Sequence, residues 1–140
     1  MITTRIAILA DKSYLSDLYR HISQRMFERK FSAGEYMIIS DDEKPFGWLR
    51  WGYFWDNTPM MNMLHIEATY RNQGYGKQLV IAWEDTMRHE NYSMVMTSTL
   101  SNEPAQHFYR KLGYKDSGAL LLPDEALEIM FVKNLSTENE

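Results

Sequence analysis

The stretch that most constrains this chain runs from Met63 to Leu79. A short apolar run is followed by a polar turn with two glycines, Gly74 and Gly76, and then by a helix-forming segment. Such a strand–turn–helix leaves backbone N–H groups free at a helix N-terminus, where the helix dipole places about half a positive elementary charge. An anion, a phosphate above all, suits that end. The glycines allow close approach of the backbone and a positive φ where the turn needs one. Two phosphate-binding designs are excluded. A P-loop would require a glycine at Arg71 and a hydroxyl at Gln78 to meet magnesium. A dinucleotide turn would require a third glycine at Leu79 and would open the first βαβ unit, whereas three strands precede this one.

At 140 residues the chain suits one domain, residues 1–135, with 136–140 as a polar tail. The absence of cysteine excludes disulfides, thiolate metal sites and a cysteine nucleophile, and no metal site is expected. No run approaches the ~18 apolar residues that would span a bilayer, and the N-terminal residues lack the pattern of a secretory signal. A cytoplasmic protein with no membrane partner is the expectation. A net charge of −4 speaks against nucleic acid, which asks for a basic surface.

Read in order, Thr3 to Leu9 forms a first strand. Asp11 and Ser13 offer N-cap chemistry to a helix whose apolar face is Leu15, Leu18, Tyr19, Ile22 and Met26, ending near Phe27 or Glu28 before Ala33-Gly34. Strands follow over Glu35 to Ser40, Phe46 to Trp55 and Met60 to Ile66, with turns at Asp41 to Pro45 and Asp56 to Pro59. Gly47 and Gly52 mark possible bulges. The next helix turns Gly76, Leu79, Val80, Trp83 and Met87 inward and leaves Lys77, Gln78, Glu84, Asp85 and Arg88 to water. Tyr92 to Leu100 reads as a strand covered on both faces, and Pro104 to Leu112 as a helix stopped by Gly113. Two closing strands, Tyr114 to Leu122 and Leu127 to Lys133, flank a turn at Pro123-Asp124-Glu125. The order predicts a mixed sheet with helices on both faces.

Two motifs carry a resemblance to a known family. Arg71-Asn72-Gln73-Gly74-Tyr75-Gly76 is similar to the acetyl-CoA signature of the GNAT superfamily, the GCN5-related N-acetyltransferases. Asn102 to Tyr114 resembles the same family's second motif, Asn-x-x-Ala-x-x-Phe-Tyr-x-Lys-x-Gly followed by an aromatic residue. The two stand in the family's order and at its usual separation. The resemblance implies an α/β fold: a mixed, mostly antiparallel sheet of about seven strands, helices on both faces, and a splay between strands four and five. It implies acetyl transfer from acetyl-CoA, as co-substrate, directly to a primary amine in a ternary complex. The acceptor is a small molecule, or a protein N-terminus or lysine. A non-catalytic acyl-CoA-binding regulatory module is the alternative.

The resemblance also implies roles. The N–H groups of Asn72, Gln73, Gly74, Tyr75, Gly76 and Lys77 would hold the pyrophosphate, with Arg71 and Lys77 adding charge. The backbone of Leu64, His65 and Ile66 would pair with pantetheine, and an N–H near Leu64 would polarise the thioester carbonyl. Tyr109 matches the general acid that protonates the departing thiolate, and Asn102 the residue that meets pantetheine or caps the helix. No base is assigned, because the two positions where members of the family carry a glutamate hold Met60 and Thr97. His65 and Glu67 point to the strand face opposite Leu64 and Ile66. A water chain ending at His65, Glu67 or His21 is an option. Alternation sends Phe46, Trp48 and Phe54 one way and Trp51, Tyr53 and Trp55 the other, most of them into the core. Little chain is left for a second helix before the second strand. The acceptor pocket is therefore expected to be open or small, or completed by a partner subunit in a homodimer.

Overall fold

The computed structural model describes residues 1–17 and 21–136. Leu18 and Tyr19 of the expected first helix, and 137–140 of the expected tail, lie outside the described residues. The elements are β1 (Ile2–Ile6), α1 (Lys12–Ser16), α2 (Gln24–Ser32), β2 (Tyr36–Asp41), β3 (Lys44–Phe54), β4 (Thr58–Ile66), α3 (Tyr75–His89), β5 (Met94–Leu100), α4 (Ala105–Lys111), β6 (Lys115–Leu120) and β7 (Glu128–Asn134). Short 3-10 turns precede α1 (Leu9–Asp11) and α3 (Ala68–Tyr70). The seven strands form one sheet in the order β1-β2-β3-β4-β5-β7-β6. β1–β2, β2–β3, β5–β7 and β7–β6 are antiparallel, and β4–β5 is parallel at Met60↔Met96. The mixed, mostly antiparallel α/β fold is as expected.

The expected single first helix is instead two. His21 adopts a positive φ of 56°, and Ser23 is extended with its hydroxyl accepting from the Met26 N–H at 3.2 Å. Ser23 thus caps a fresh helix, and apolar spacing across the break does not describe one face. Met26, expected inward, is 40% exposed, while Phe27 is fully buried. A second helix before β2 therefore does exist, against expectation. α2 ends where Gly34 takes φ 73°.

The β2–β3 and β3–β4 hairpins turn on Asp42-Glu43 and Trp55-Asp56, each pair with both residues at positive φ, the handedness that matches strand twist. The second turn needs only those two residues, closed by the Asn57 N–H on Phe54 O at 3.2 Å, so Thr58 and Pro59 join β4 rather than the turn.

Contacts divide the chain into two compact units. The first comprises Met1–Gly52 and Met63–Trp83. On one face of its strands Leu15 of α1 and Phe27 of α2 cluster with Tyr36, Ile38 and Trp48. Trp51, three residues beyond Trp48 and so on the opposite face, meets Trp83 of α3 at 6.4 Å. Helices cover both faces. The β2–β3 register slips between Ile39 and Ser40, which leaves Phe46 without an opposite residue beside Gly47. This bulge breaks the expected alternation: Phe46 joins Tyr70 and Tyr75, whereas Trp48 joins Tyr36 and His65. The second unit comprises Tyr53–Asn62 and Glu84–Glu140, with Val95, Met96, Tyr109, Tyr114, Met130 and Phe131 buried in it.

Candidate functional site

In the first unit, the chain leaves β4 through a turn with several ties. The Glu67 N–H donates to Phe46 O at 2.9 Å, Arg71 Nε to Ile66 O at 2.7 Å, and Gln73 Nε2 to Thr69 O at 3.1 Å. Beneath lies an aromatic platform. Phe46 stacks on Tyr70 at 3.9 Å between ring centres, and Tyr75 meets Phe46 edge-on at 5.0 Å. Asn72 (φ 61°) and Gly74 (φ 87°) flank Gln73, a change of hand that lets successive N–H groups line one concavity. The first bond of α3 runs from the Gln78 N–H to Gly74 O at 3.0 Å. The N–H groups of Tyr75, Gly76 and Lys77 consequently have no acceptor within the helix. A Cβ on Gly74 would meet nothing within 4 Å, and Asn72, Gln73, Gly74 and Lys77 are exposed. The turn is an open cluster of donors at the positive end of a 15-residue helix. The arrangement fits a phosphate group.

Leu64, His65 and Ile66 are half-buried at the end of β4. His65 lies 5.8 Å from the Trp48 ring, and Glu67 accepts from the Tyr14 hydroxyl at 2.9 Å. Both are thus on the α1 side, as alternation requires. Burial, and then the Glu67 carboxylate, raise the Tyr14 pKa, so this hydroxyl stays protonated. Arg71, expected to add charge near the phosphates, spends its Nε on tying the turn to β4.

In the second unit, α4 places Tyr109 6% exposed, edge-on to Tyr114 at 5.7 Å and near Phe131 at 6.3 Å. Its hydroxyl points at Met61 Sδ, 4.0 Å away, while Thr97 Oγ1 donates to Met61 O at 3.1 Å. Burial pushes the Tyr109 pKa up to about 12, opposed only by Thr97. Asn102 is exposed just before α4. It does not cap the helix. Glu103 Oε1 accepts from the Leu100 N–H at 3.2 Å, and Gln106 Nε2 donates to Ser101 O at 2.8 Å, so those two residues close the entry.

Glu84 is the residue that periodicity misplaced. Expected at the surface, it is 2% exposed, with Oε2 accepting from the Tyr114 hydroxyl at 2.8 Å and Oε1 from Lys133 Nζ at 2.9 Å. Burial and Glu84 together drive the Tyr114 pKa upward. The helix pattern held no sign of this, because the two partners lie on strands and turns far along the chain. Near α1 and α2 an open hollow is lined by Leu9, Lys12, Ser13, Ser16, Gln24 and Glu28, none of them a predicted site residue. Among the described residues no cluster of metal-ligating side chains occurs, and no helix is long and apolar enough to cross a membrane.

Comparison with known proteins gives the family. The model of the acetyltransferase (GNAT) family matches residues 5–114, and the chain belongs to that family. No curated protein sequence matches it significantly. Among solved structures, Ard1 from Thermoplasma volcanium superposes with a TM-score of 0.78 at 16% identity, over 95% of this chain and 97% of that one. The ribosomal-protein-S18-alanine N-acetyltransferase from Escherichia coli gives 0.76 at 17% identity, over 100% and 99%. The PaiA N-acetyltransferase from Thermoplasma acidophilum, in complex with coenzyme A, gives 0.72 at 15%, over 96% and 99%. At these identities the superpositions speak for the fold.

Proposed function

We propose that residues 1–135 form one cytoplasmic N-acetyltransferase domain that moves the acetyl group of acetyl-CoA directly to a primary amine. The observation that carries this is the open turn before α3, whose free N–H groups and positive-φ Gly74 suit a pyrophosphate. Asn72 to Lys77 bind that group, and Arg71 braces the turn. The backbone of Leu64, His65 and Ile66 runs beside pantetheine, and the Leu64 N–H donates to the carbonyl oxygen as negative charge gathers there, an effect worth a few kcal/mol. Asn102 meets the pantetheine arm. The neutral amine adds to the thioester carbon, the carbon–sulfur bond breaks, and the sulfur takes the Tyr109 proton. With Met60 and Thr97 where an acidic base would stand, the amine loses its proton to water.

The acceptor is a small amine or a protein amine; the S18-alanine enzyme among the structural neighbours favours a protein N-terminus as the first to try. The missing acidic base also keeps open a module that binds acyl-CoA without turnover. Thiol release from acetyl-CoA over a panel of amines and N-terminal peptides separates the two. Turnover is expected, and Tyr109→Phe should cut kcat by about 100-fold or more with little change in acetyl-CoA affinity. Release no faster than in the absence of protein, for every amine tried, would leave only the binding module.

A further inference from the structure

Arg71 is placed to do more than add charge beside a phosphate. A peptide bond is planar and trans, so each carbonyl points opposite to the N–H that follows it. The Glu67 N–H donates to Phe46 O on β3 at 2.9 Å, which turns Ile66 O away from β3. Gly47 agrees. A Cβ there would lie 2.9 Å from His65 O, so that carbonyl sits against β3 and alternation sends the next one to the far edge. The far edge is where a further strand would bond, and Ile66 is the last residue of β4. Arg71 Nε already holds its carbonyl, at 2.7 Å. The turn has other ties. The Arg71 N–H donates to Ala68 O, the Tyr70 N–H to Glu67 O and Gln73 Nε2 to Thr69 O, while Tyr70 stacks on Phe46. The Arg71 side chain is exposed, and among the described residues its Nη groups have no hydrogen-bond partner.

We propose that Arg71 is a latch on the free edge of β4. It holds Ile66 O until a pyrophosphate draws the guanidinium away, and so selects the whole of coenzyme A over its pantetheine half. This rests on the reading of β4 and the turn as the acetyl-CoA site. Pantetheine added to β4 as a strand needs a carbonyl for one of its amide N–H groups, and Ile66 O is the acceptor that this edge presents next to the turn. The amide and Arg71 Nε compete for it. Phosphate decides the competition. A guanidinium meets a phosphate through two parallel N–H groups, charge to charge, a stronger pairing than one N–H on a neutral carbonyl. Arg71 directly precedes Asn72 to Lys77, whose N–H groups are offered to the same phosphate, so rotation of its side chain carries the charge across. The consequence is an order of engagement, pyrophosphate first and pantetheine second. An acyl-pantetheine without phosphate has to displace Nε unaided, and loses affinity for it.

Two halves of the donor test this. Acetylpantetheine has no phosphate, and adenosine 3′-phosphate 5′-diphosphate has the phosphates without pantetheine. Arg71→Met removes the guanidinium and keeps an unbranched side chain. It should bind acetylpantetheine about 3-fold more tightly than the parent does, because the competing N–H is gone, and the nucleotide about 10-fold more weakly. A side chain with only a structural task would weaken both. Acetylpantetheine affinity that is unchanged or lower overturns the latch, and so does unchanged nucleotide affinity. If the variant does not fold, the parent protein answers alone. Its Arg71 Nε–H resonance in NMR should move on saturation with the nucleotide, and a resonance that stays in place overturns the latch. The underlying reading fails by a different result: a parent protein that binds neither half, nor acetyl-CoA, has no donor site at this turn, whereas the latch is overturned with the halves bound.

Discussion

Individual residues here are decided by space as often as by chemistry. At Gly47 an added Cβ would lie 2.7 Å from Ile66 Cδ1, 2.8 Å from Ile39 Cγ2 and 2.9 Å from His65 O. Two of these neighbours are side-chain tips that can shift, but the third is backbone of the strand that carries Leu64 to Ile66. Gly47→Ala should therefore destabilise the fold by about 1–3 kcal/mol, seen as a lower urea midpoint at unchanged slope. A midpoint equal to the parent's would mean that β4 has room to move. The sequence marked Gly47 as a bulge, and that was legible because glycine in an aromatic strand has few other uses. It did not show that the bulge carries Phe46 away from Trp48, since alternation assumes an unbroken pleat. Glu84 was misread for a related reason. Periodicity assigns a charged residue to water unless a partner is known, and Tyr114 and Lys133 are 30 and 49 residues away.

Elements with one strong signal were read to within a residue or two. α3 and α4 carried both apolar spacing and their end residues. The N-terminal helix failed because the spacing of Leu15, Ile22 and Met26 fits one long helix as well as two, and Ser23 has to be recognised as a cap to tell them apart. The start of α3 yields a sharper prediction. A glutamate in the first turn of a helix interacts favourably with the dipole, by about 0.3–1 kcal/mol, and replaces a residue that helices disfavour. Gly76→Glu should therefore leave the melting temperature unchanged or higher. The same carboxylate would stand among the N–H groups offered to the pyrophosphate, so affinity for acetyl-CoA should fall by about 100-fold or more in a calorimetric titration. Undiminished affinity would place the phosphates elsewhere. The opposite signs matter, because a variant that simply misfolds loses both.

On the scale of the whole molecule, the two motifs made the kind of sheet legible but not the order of its strands. Local pattern gives the strands but not that β7 lies between β5 and β6, an insertion that comes from pairing over long separations. The family resemblance supplied a mixed, mostly antiparallel sheet of about seven strands but not that order, and the acceptor stayed out of reach because the residues that would choose it form no motif. A property of the entire chain can nevertheless part donor binding from chemistry. A ligand that binds only the folded state stabilises it by about 2.7 kcal/mol at a concentration one hundred times its Kd. For a domain of this size that is a rise in melting temperature of about 5–10 °C. Coenzyme A should produce such a rise in the parent protein and an equal one in Tyr109→Phe, since the phenol is needed when sulfur departs rather than when the donor binds. Scanning calorimetry with and without coenzyme A measures both. A Tyr109→Phe protein that coenzyme A fails to stabilise would make the hydroxyl a binding group, and any loss of turnover in that variant would then report on affinity instead of proton transfer.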